Sequence, residues 1–273
     1  MFGGFFANTQ SLARLESLYS YRMTTSSYVR MNNYSAIDFD STITYTFGFV
    51  VKLNTAGINQ SLISNVDSSG LNGLFCIIRA VGGFSFQWRN DFLNSRKQIN
   101  FSGTTLTTGN WYTILFQIDP TDINNWFCYI NNIIQTPSII GASTSANIVG
   151  KPLDFGAYSD GTLFFAELDY NQAVIWDKAL TSDERTAFYN SGQPDFNVAN
   201  ADQLLRVRFD NDTWDSGNSR FDVVNDKNAT GGVTVNIAEA DKILITHVIF
   251  HPVQKSLNRT LEITYTLRIQ MGD

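Results

Sequence analysis

Two carboxylates, Glu167 and Asp169, open the run Glu167-Leu168-Asp169-Tyr170-Asn171-Gln172. Retaining glycoside hydrolysis needs two carboxyl groups about 5–5.5 Å apart, one serving as nucleophile and one as acid/base. The polar residues that follow, Asn171 and Gln172, are amides, and an amide cannot pass a proton as a general acid must. No residue is therefore assigned a catalytic role, and the chain is read as a non-enzyme. His247 and His251 stand four residues apart in an expected strand and loop, with no cysteine nearby, so a zinc site is not expected. Gly-x-Ser-x-Gly, P-loop and dinucleotide fingerprints are all missing.

Binding chemistry has better candidates. Asp210, Asp212 and Asp215 in one loop, or Asp160 near Tyr158, offer the hard oxygens that calcium takes. The loop is no EF-hand, because Trp214 falls at its fifth position, and solvated turn acids are the plainer explanation. Sugar binding needs an exposed aromatic beside amide and acid groups. Tyr158 with Asp160, or Trp214 with Asn211 and Asn218, would provide it. Trp88, Trp111, Trp126 and Trp176 each sit in an apolar strand pattern and are expected in the core.

These residues need a scaffold, and the stretch from Tyr158 to Gly192 organises it. Asp160-Gly161 is a strong turn dipeptide, and Thr162 to Trp176 is rich in aromatic and β-branched residues. That predicts a core strand, or two strands broken near Asn171. Thr181-Ser182-Asp183-Glu184 reads as a capping box opening a short helix, with Gly192 as its left-handed stop. Further strands are expected from Ala36 to Phe39, Thr42 to Leu53, Leu62 to Asn65, Gly73 to Val81, Gly83 to Arg89, and Gln98 to Phe101. They recur about every ten residues with Asn, Gly, Ser and Asp between them, the signature of a sandwich rather than of βαβ units. Gly109 to Phe116 is an alternating strand, and Trp126 to Ile130 runs into a tight turn at Asn131-Asn132, residues that tolerate positive φ. Leu204 to Phe209, Phe221 to Val224 and Val233 to Ile237 complete the set.

Several of these motifs resemble laminin-G-like and pentraxin-like domains of the concanavalin A-like lectin/glucanase superfamily. The run Val174-Ile175-Trp176-Asp177-Lys178-Ala179-Leu180-Thr181, then Ser182-Asp183-Glu184-Arg185, Tyr189 and Gly192, is similar to their closing strand and helix. Gly109-Asn110-Trp111 and Tyr129-Ile130-Asn131-Asn132 resemble their G-x-W strand and l-Y-v-N-G hairpin, and Phe49 takes the usual Trp position of the opening strand. The resemblance covers roughly residues 28 to 195. It implies an all-β antiparallel sandwich, a concanavalin A-like jelly roll, with calcium on loop oxygens as a candidate ion but no cofactor required. Glucanases of the superfamily carry Glu-x-Asp-x-Glu or Glu-x-Asp-x-x-Glu, where Asn171 and Gln172 stand here.

A chain of 273 residues can bury a large core as one sandwich with extensions or as two small domains, and the first is favoured. It is 43% hydrophobic and only 16% charged, against roughly 25% in ordinary globular proteins. The net charge of −6 and the lack of a Lys/Arg cluster exclude a nucleic-acid footprint. Cys76 and Cys128 lie in apolar runs and are expected to be buried thiols. No export signal or membrane-spanning run stands out, so folding in a cytosol is expected. Residues 1–25 form an expected arm with a short helix and an aromatic tip, Phe2, Phe5 and Phe6, which packs on its own sandwich or on another subunit. The sandwich takes 26–238. Residues 239–273 hold two long apolar strands, with Ile249 and Phe250 among their contact candidates, and read as a β-hairpin assembly arm or as strands completing a sheet.

Together these features point to a structural or adhesion subunit of a bacteriophage virion: a capsid decoration, fibre or tail protein assembled in the host cytoplasm. Its expected partners are other virion subunits or copies of itself, and a cell-surface glycan. The alternatives are a stand-alone carbohydrate-binding module and a divergent glycoside hydrolase.

Overall fold

A period of two in the apolar residues makes strands of most of the described chain. The computed structural model describes residues 21–23, 28–31, 38–66, 72–90, 96–158, 163–208, 222–224 and 233–236. In chain order the strands are β1 (Tyr21–Arg22), β2 (Tyr28–Met31), β3 (Tyr45–Leu53), β4 (Gln60–Ser64), β5 (Gly73–Ile78), β6 (Phe84–Arg89), β7 (Arg96–Ser102) and β8 (Trp111–Ile118). Then come β9 (Phe127–Ile130), β10 (Ile133–Ile134), β11 (Thr136–Ala142), β12 (Leu153–Phe155), β13 (Leu168–Trp176), β14 (Gln203–Arg208), β15 (Asp222–Val224) and β16 (Val233–Asn236). One α-helix, α1 (Ser182–Tyr189), stands between β13 and β14. Sheet A has the order β10-β9-β8-β3-β13-β14-β15, with β1 also on β13, and sheet B runs β11-β7-β6-β5-β4-β12-β2-β16. Every named strand pairing is antiparallel, so the chain folds as the expected all-β sandwich.

Aromatic rings fill the space between the sheets. Phe116 of β8 stands 5.3 Å from Phe84, 5.5 Å from Phe86, 6.0 Å from Phe101 and 6.5 Å from Phe49. Phe39, Tyr45, Phe47 and Trp88 form a second knot at 5.1–6.5 Å. Offset and edge-on rings at such distances gain contact energy beyond the area they bury. Burial pushes the Tyr45 phenol up to about 12. Its folded value thus exceeds the ordinary value near 10 of the unfolded chain, so the contribution is intact below pH 10 and lost as pH climbs from about 10 towards 12. We expect stability to fall by at most about 3 kcal/mol through that window, the worth of two pKa units. Denaturant midpoints measured alongside phenolate absorbance would show it, and a Tyr45→Phe variant should lack most of the slope.

The capping box forms as the sequence predicts: the Glu184 N–H donates to Thr181 Oγ1 at 3.2 Å, and the Thr181 N–H donates to the Glu184 carboxylate at 2.8 Å. Helix α1 closes the outer face of sheet A. Phe188 meets Trp176 at 5.3 Å and Phe196 at 5.3 Å, both nearly edge-on. Gly48 of β3 makes room for it, since a Cβ there would come within 2.8 Å of the Phe188 ring. The helix stops sooner than expected, because Asn190 already adopts φ 41° as its C-cap and Gly192 (φ 90°) lies two residues further on. Asn tolerates that region through its short polar side chain, so glycine was not needed to end the turn.

Elsewhere the expected segments hold in part: the strand expected from Thr162 begins only at Leu168, since residues 164–167 carry no regular structure and Phe164 takes a positive φ. The break near Asn171 is a β-bulge: the register against β3 shifts between Tyr170 and Gln172, while the strand itself continues to Trp176. Asn131 and Asn132 take φ 49° and 63° at the β9–β10 turn. The Ala36 to Phe39 strand is reduced, among the described residues, to one bridge between Phe39 and Ile148. Cys76 and Cys128 are both free and buried, and burial holds their thiols well above the usual value. Trp88, Trp126 and Trp176 lie in the interior, but Trp111 does not: it is 39% exposed on the outer face of sheet A. The alternation of β8 explains the correction, because Tyr112, Ile114 and Phe116 take the inward positions and leave Trp111 facing out.

Candidate functional site

Tyr158 is not the exposed aromatic that the sequence predicts. Only 7% exposed, it packs at 4.7 Å on Phe75, and its hydroxyl accepts a hydrogen bond from Arg89 at 2.9 Å. With Val66, Phe75 and Ile77 it makes a small apolar cluster on the outer face of sheet B. The exposed ring beside it is Phe164, 37% exposed and 5.4 Å from Tyr158. Phe164 has φ 47°, an uncommon place for a bulky side chain. Its carbonyl accepts the Ser61 N–H at 2.7 Å, which holds the segment against β4.

Asp160, Asn211, Trp214 and Asn218 lie outside the described residues, as do Asp210, Asp212 and Asp215, and the contact candidates Phe2, Phe5, Phe6, Ile249 and Phe250. Among the described residues no group of three metal-ligating side chains converges. Glu167 and Asp169 are held by different partners. Asp169 is buried and held by Arg22 at 2.8 Å, Asn54 at 2.8 Å and Lys52 at 3.4 Å, while the Glu167 carboxylate accepts from the Thr55 hydroxyl. The pair is thus divided between an ion cluster across three strands and a loop tie.

What the fold does assemble is a polar floor on sheet B. Phe84, Phe86 and Trp88 of β6, and Ile99 and Phe101 of β7, point inward, so Ser85, Gln87, Arg89, Arg96, Gln98 and Asn100 share the outer face. In register, Asn100 stands opposite Ser85, Ser85 opposite Ile77, and Ile77 opposite Ser61. The next row places Gln98 against Gln87, Gln87 against Phe75, and Phe75 against Ser64. Hydrogen bonds lock the amides: Gln98 Nε2 donates to Ser85 Oγ at 3.2 Å, Arg96 Nε to Gln98 Oε1 at 2.7 Å, and Arg89 Nε to Gln87 Oε1 at 3.2 Å. Burial pulls the Arg89 guanidinium below its usual value; the neighbouring charge of Arg96 acts in the same direction, and Tyr158 opposes both.

Two atoms on this floor are unsatisfied. Asn100 Oδ1 and Ser61 Oγ are buried yet find no hydrogen-bond partner among the described residues. Leaving such an atom unpaired costs on the order of 1–3 kcal/mol. Asn100 and Ser61 are separated by three strand spacings, roughly 14 Å. Ser61, Ser85 and Gln87 are themselves nearly inaccessible, so the part of the face that a ligand can reach is the half-buried row Arg96, Gln98 and Asn100 on β7, with the exposed Phe164 ring near β4 on the far side. Reasoning from sequence overlooked this floor, although the signal is present in Phe84-Ser85-Phe86-Gln87-Trp88-Arg89 and in Gln98-Ile99-Asn100-Phe101, where every second residue is polar.

No protein-family model matches the chain, and no curated protein matches it in sequence. Solved structures do match in fold. A candidate carbohydrate-binding protein from Bacteroides ovatus aligns with TM-score 0.50 at 13% identity over 84% of this chain and 62% of its own. A heptameric serum-amyloid-P-like pentraxin from Limulus polyphemus aligns at 0.47 and 15% identity over 81% of this chain and 95% of its own. Mouse laminin α1 domains LG4-5 align at 0.45 and 10% identity over 60% of this chain and 43% of theirs. The likeness to the Bacteroides ovatus protein is one of fold, an antiparallel β-sandwich. It agrees with the architecture that the sequence motifs imply.

Proposed function

We propose that this chain is a non-catalytic carbohydrate-binding module that takes an oligosaccharide along the outer floor of sheet B. The observation that carries the reading is the half-buried row Arg96, Gln98 and Asn100, whose polar groups are fixed by the hydrogen bonds from Arg96 to Gln98 and from Gln98 to Ser85. Saccharide hydroxyls are donors as well as acceptors and can pair with the exposed polar groups of this row, while Phe164 offers a ring face to the C–H side of a sugar. The carbohydrate-binding description of the Bacteroides ovatus protein, whose fold this chain shares, supports the same reading.

Glycan-array screening followed by calorimetry tests it. The unmodified chain should bind at least one oligosaccharide class. Asn100→Ala and Phe164→Ala should each weaken that binding by about tenfold, the effect of losing one hydrogen bond to a buried group or one stacking contact. The thermal midpoint of Asn100→Ala should stay close to the parent's, because Asn100 Oδ1 has no internal bond to lose. An array without a single hit, or variants that bind as tightly as the parent, would sink the proposal.

The wider setting we propose is adhesion: a subunit of a larger assembly, such as a phage particle built in the host cytoplasm, that presents this floor to a surface glycan. Its support is compositional, a charged fraction of only 16% and the aromatic and apolar runs towards both ends of the sequence. Co-sedimentation of the chain with purified particles checks that setting separately from glycan binding.

A further inference from the structure

Strand β11 forms one margin of sheet B, and among the described residues it pairs on one side only, with β7. Next to it in the chain, β10 forms the corresponding margin of sheet A. Ile133 and Ile134 of β10 and Ile139 and Ile140 of β11 are all exposed, although isoleucine is among the residues most often buried. Edge strands are usually protected by charged side chains, lysine above all. This margin has none: no charged residue stands between Asp122 and Lys151.

An unused row of main-chain donors and acceptors is met by another extended strand, not by a helix or a flat surface. The sequence of β11 indicates which strand. Ser138-Ile139-Ile140-Gly141 reads small-large-large-small in both directions. Laid antiparallel on itself, it sets each large residue of one copy opposite a large residue of the other and each small opposite a small. A two-fold interface demands just that self-complementarity. Pro137 has no N–H, which confines a new ladder to Ser138–Ala142. The register shift between Ile139 and Gly141 leaves Ile140 as the extra residue, displayed at the centre of the motif.

We propose that a second copy of this chain pairs antiparallel with β11 about a two-fold axis, joining the B sheets of two protomers into one and covering the exposed isoleucines. The polar floor would then run on across the junction, giving two floors side by side.

Sedimentation of the full chain over a concentration series tests this, with Ile139→Lys/Ile140→Lys as the disrupting variant and Val81→Lys as a control at an exposed position outside the named strands. Lysines facing their symmetry mates should raise the dissociation constant by at least about tenfold, leaving a lighter species, while Val81→Lys keeps the parent's mass. A mass unchanged by the double substitution, whatever the parent's own mass, overturns the proposal, since a strand of the same chain or an unrelated apolar peptide would then be the occupant. Should the double variant misfold, amide exchange in the parent decides: residues 138–142 should exchange more slowly as concentration rises, and concentration-independent exchange there counts against pairing.

Discussion

Phe116→Ala is expected to destabilise the chain by about 3–5 kcal/mol, the range for removing a large aromatic from a close-packed interior. Phe116 is fully buried and touches rings from three other strands: Phe49 of sheet A, and Phe84, Phe86 and Phe101 of sheet B. Its loss would open a cavity on the mid-plane of the sandwich, where neither sheet can move in without breaking its own ladder. Phe116→Leu keeps much of the volume and should cost less. Denaturant unfolding measures both, and a loss below about 1 kcal/mol for the alanine variant would mean that the two sheets are not joined through this ring.

Asp169→Ala should cost about 2–3 kcal/mol and Glu167→Gln almost nothing, although the two acids are near neighbours in sequence. Asp169 is nearly inaccessible and binds Arg22 of β1 through two nitrogens, Lys52 of β3 through a third, and the Asn54 amide. Removing it leaves two cations facing each other across β13. Both cations are about a third exposed and can partly rehydrate, which keeps the cost below the 3–5 kcal/mol typical of a fully buried pair. Melting curves of the two variants would separate the roles. The same proteins test hydrolysis: release of reducing sugar by the parent, lost in Glu167→Gln, would overturn the binding-only reading.

Longer strands such as β3, β6 and β8 were legible because period-two patterns survive in any sandwich, whereas β1, β2, β10 and β12 were not. The capping box, the Asn131-Asn132 turn and the buried thiols were legible too, all of them local chemistry. The faces were not. Trp111 and Trp88 sit in equally apolar surroundings in the sequence, yet the register of β8 turns one outward while β6 turns the other inward. Tyr158 and Phe164 exchanged places for a similar reason: Phe75 and Arg89, far away in the sequence, claim Tyr158, and Phe164 is left outside. Strand β11 shows no alternation in the sequence, because Ile139 and Ile140 are neighbours at a bulge. The polar floor depends on strands lying side by side, and strand order is a long-range property that no single stretch of residues announces.

Cys76 lies in sheet B and Cys128 in sheet A, both wholly inside, and they are the chain's only cysteines. A thiol-specific reagent can reach either one only while the layers are apart. Labelling therefore works as a stopwatch for separation of the two halves, and because the probes sit on opposite layers, unequal labelling would tell which layer frays first.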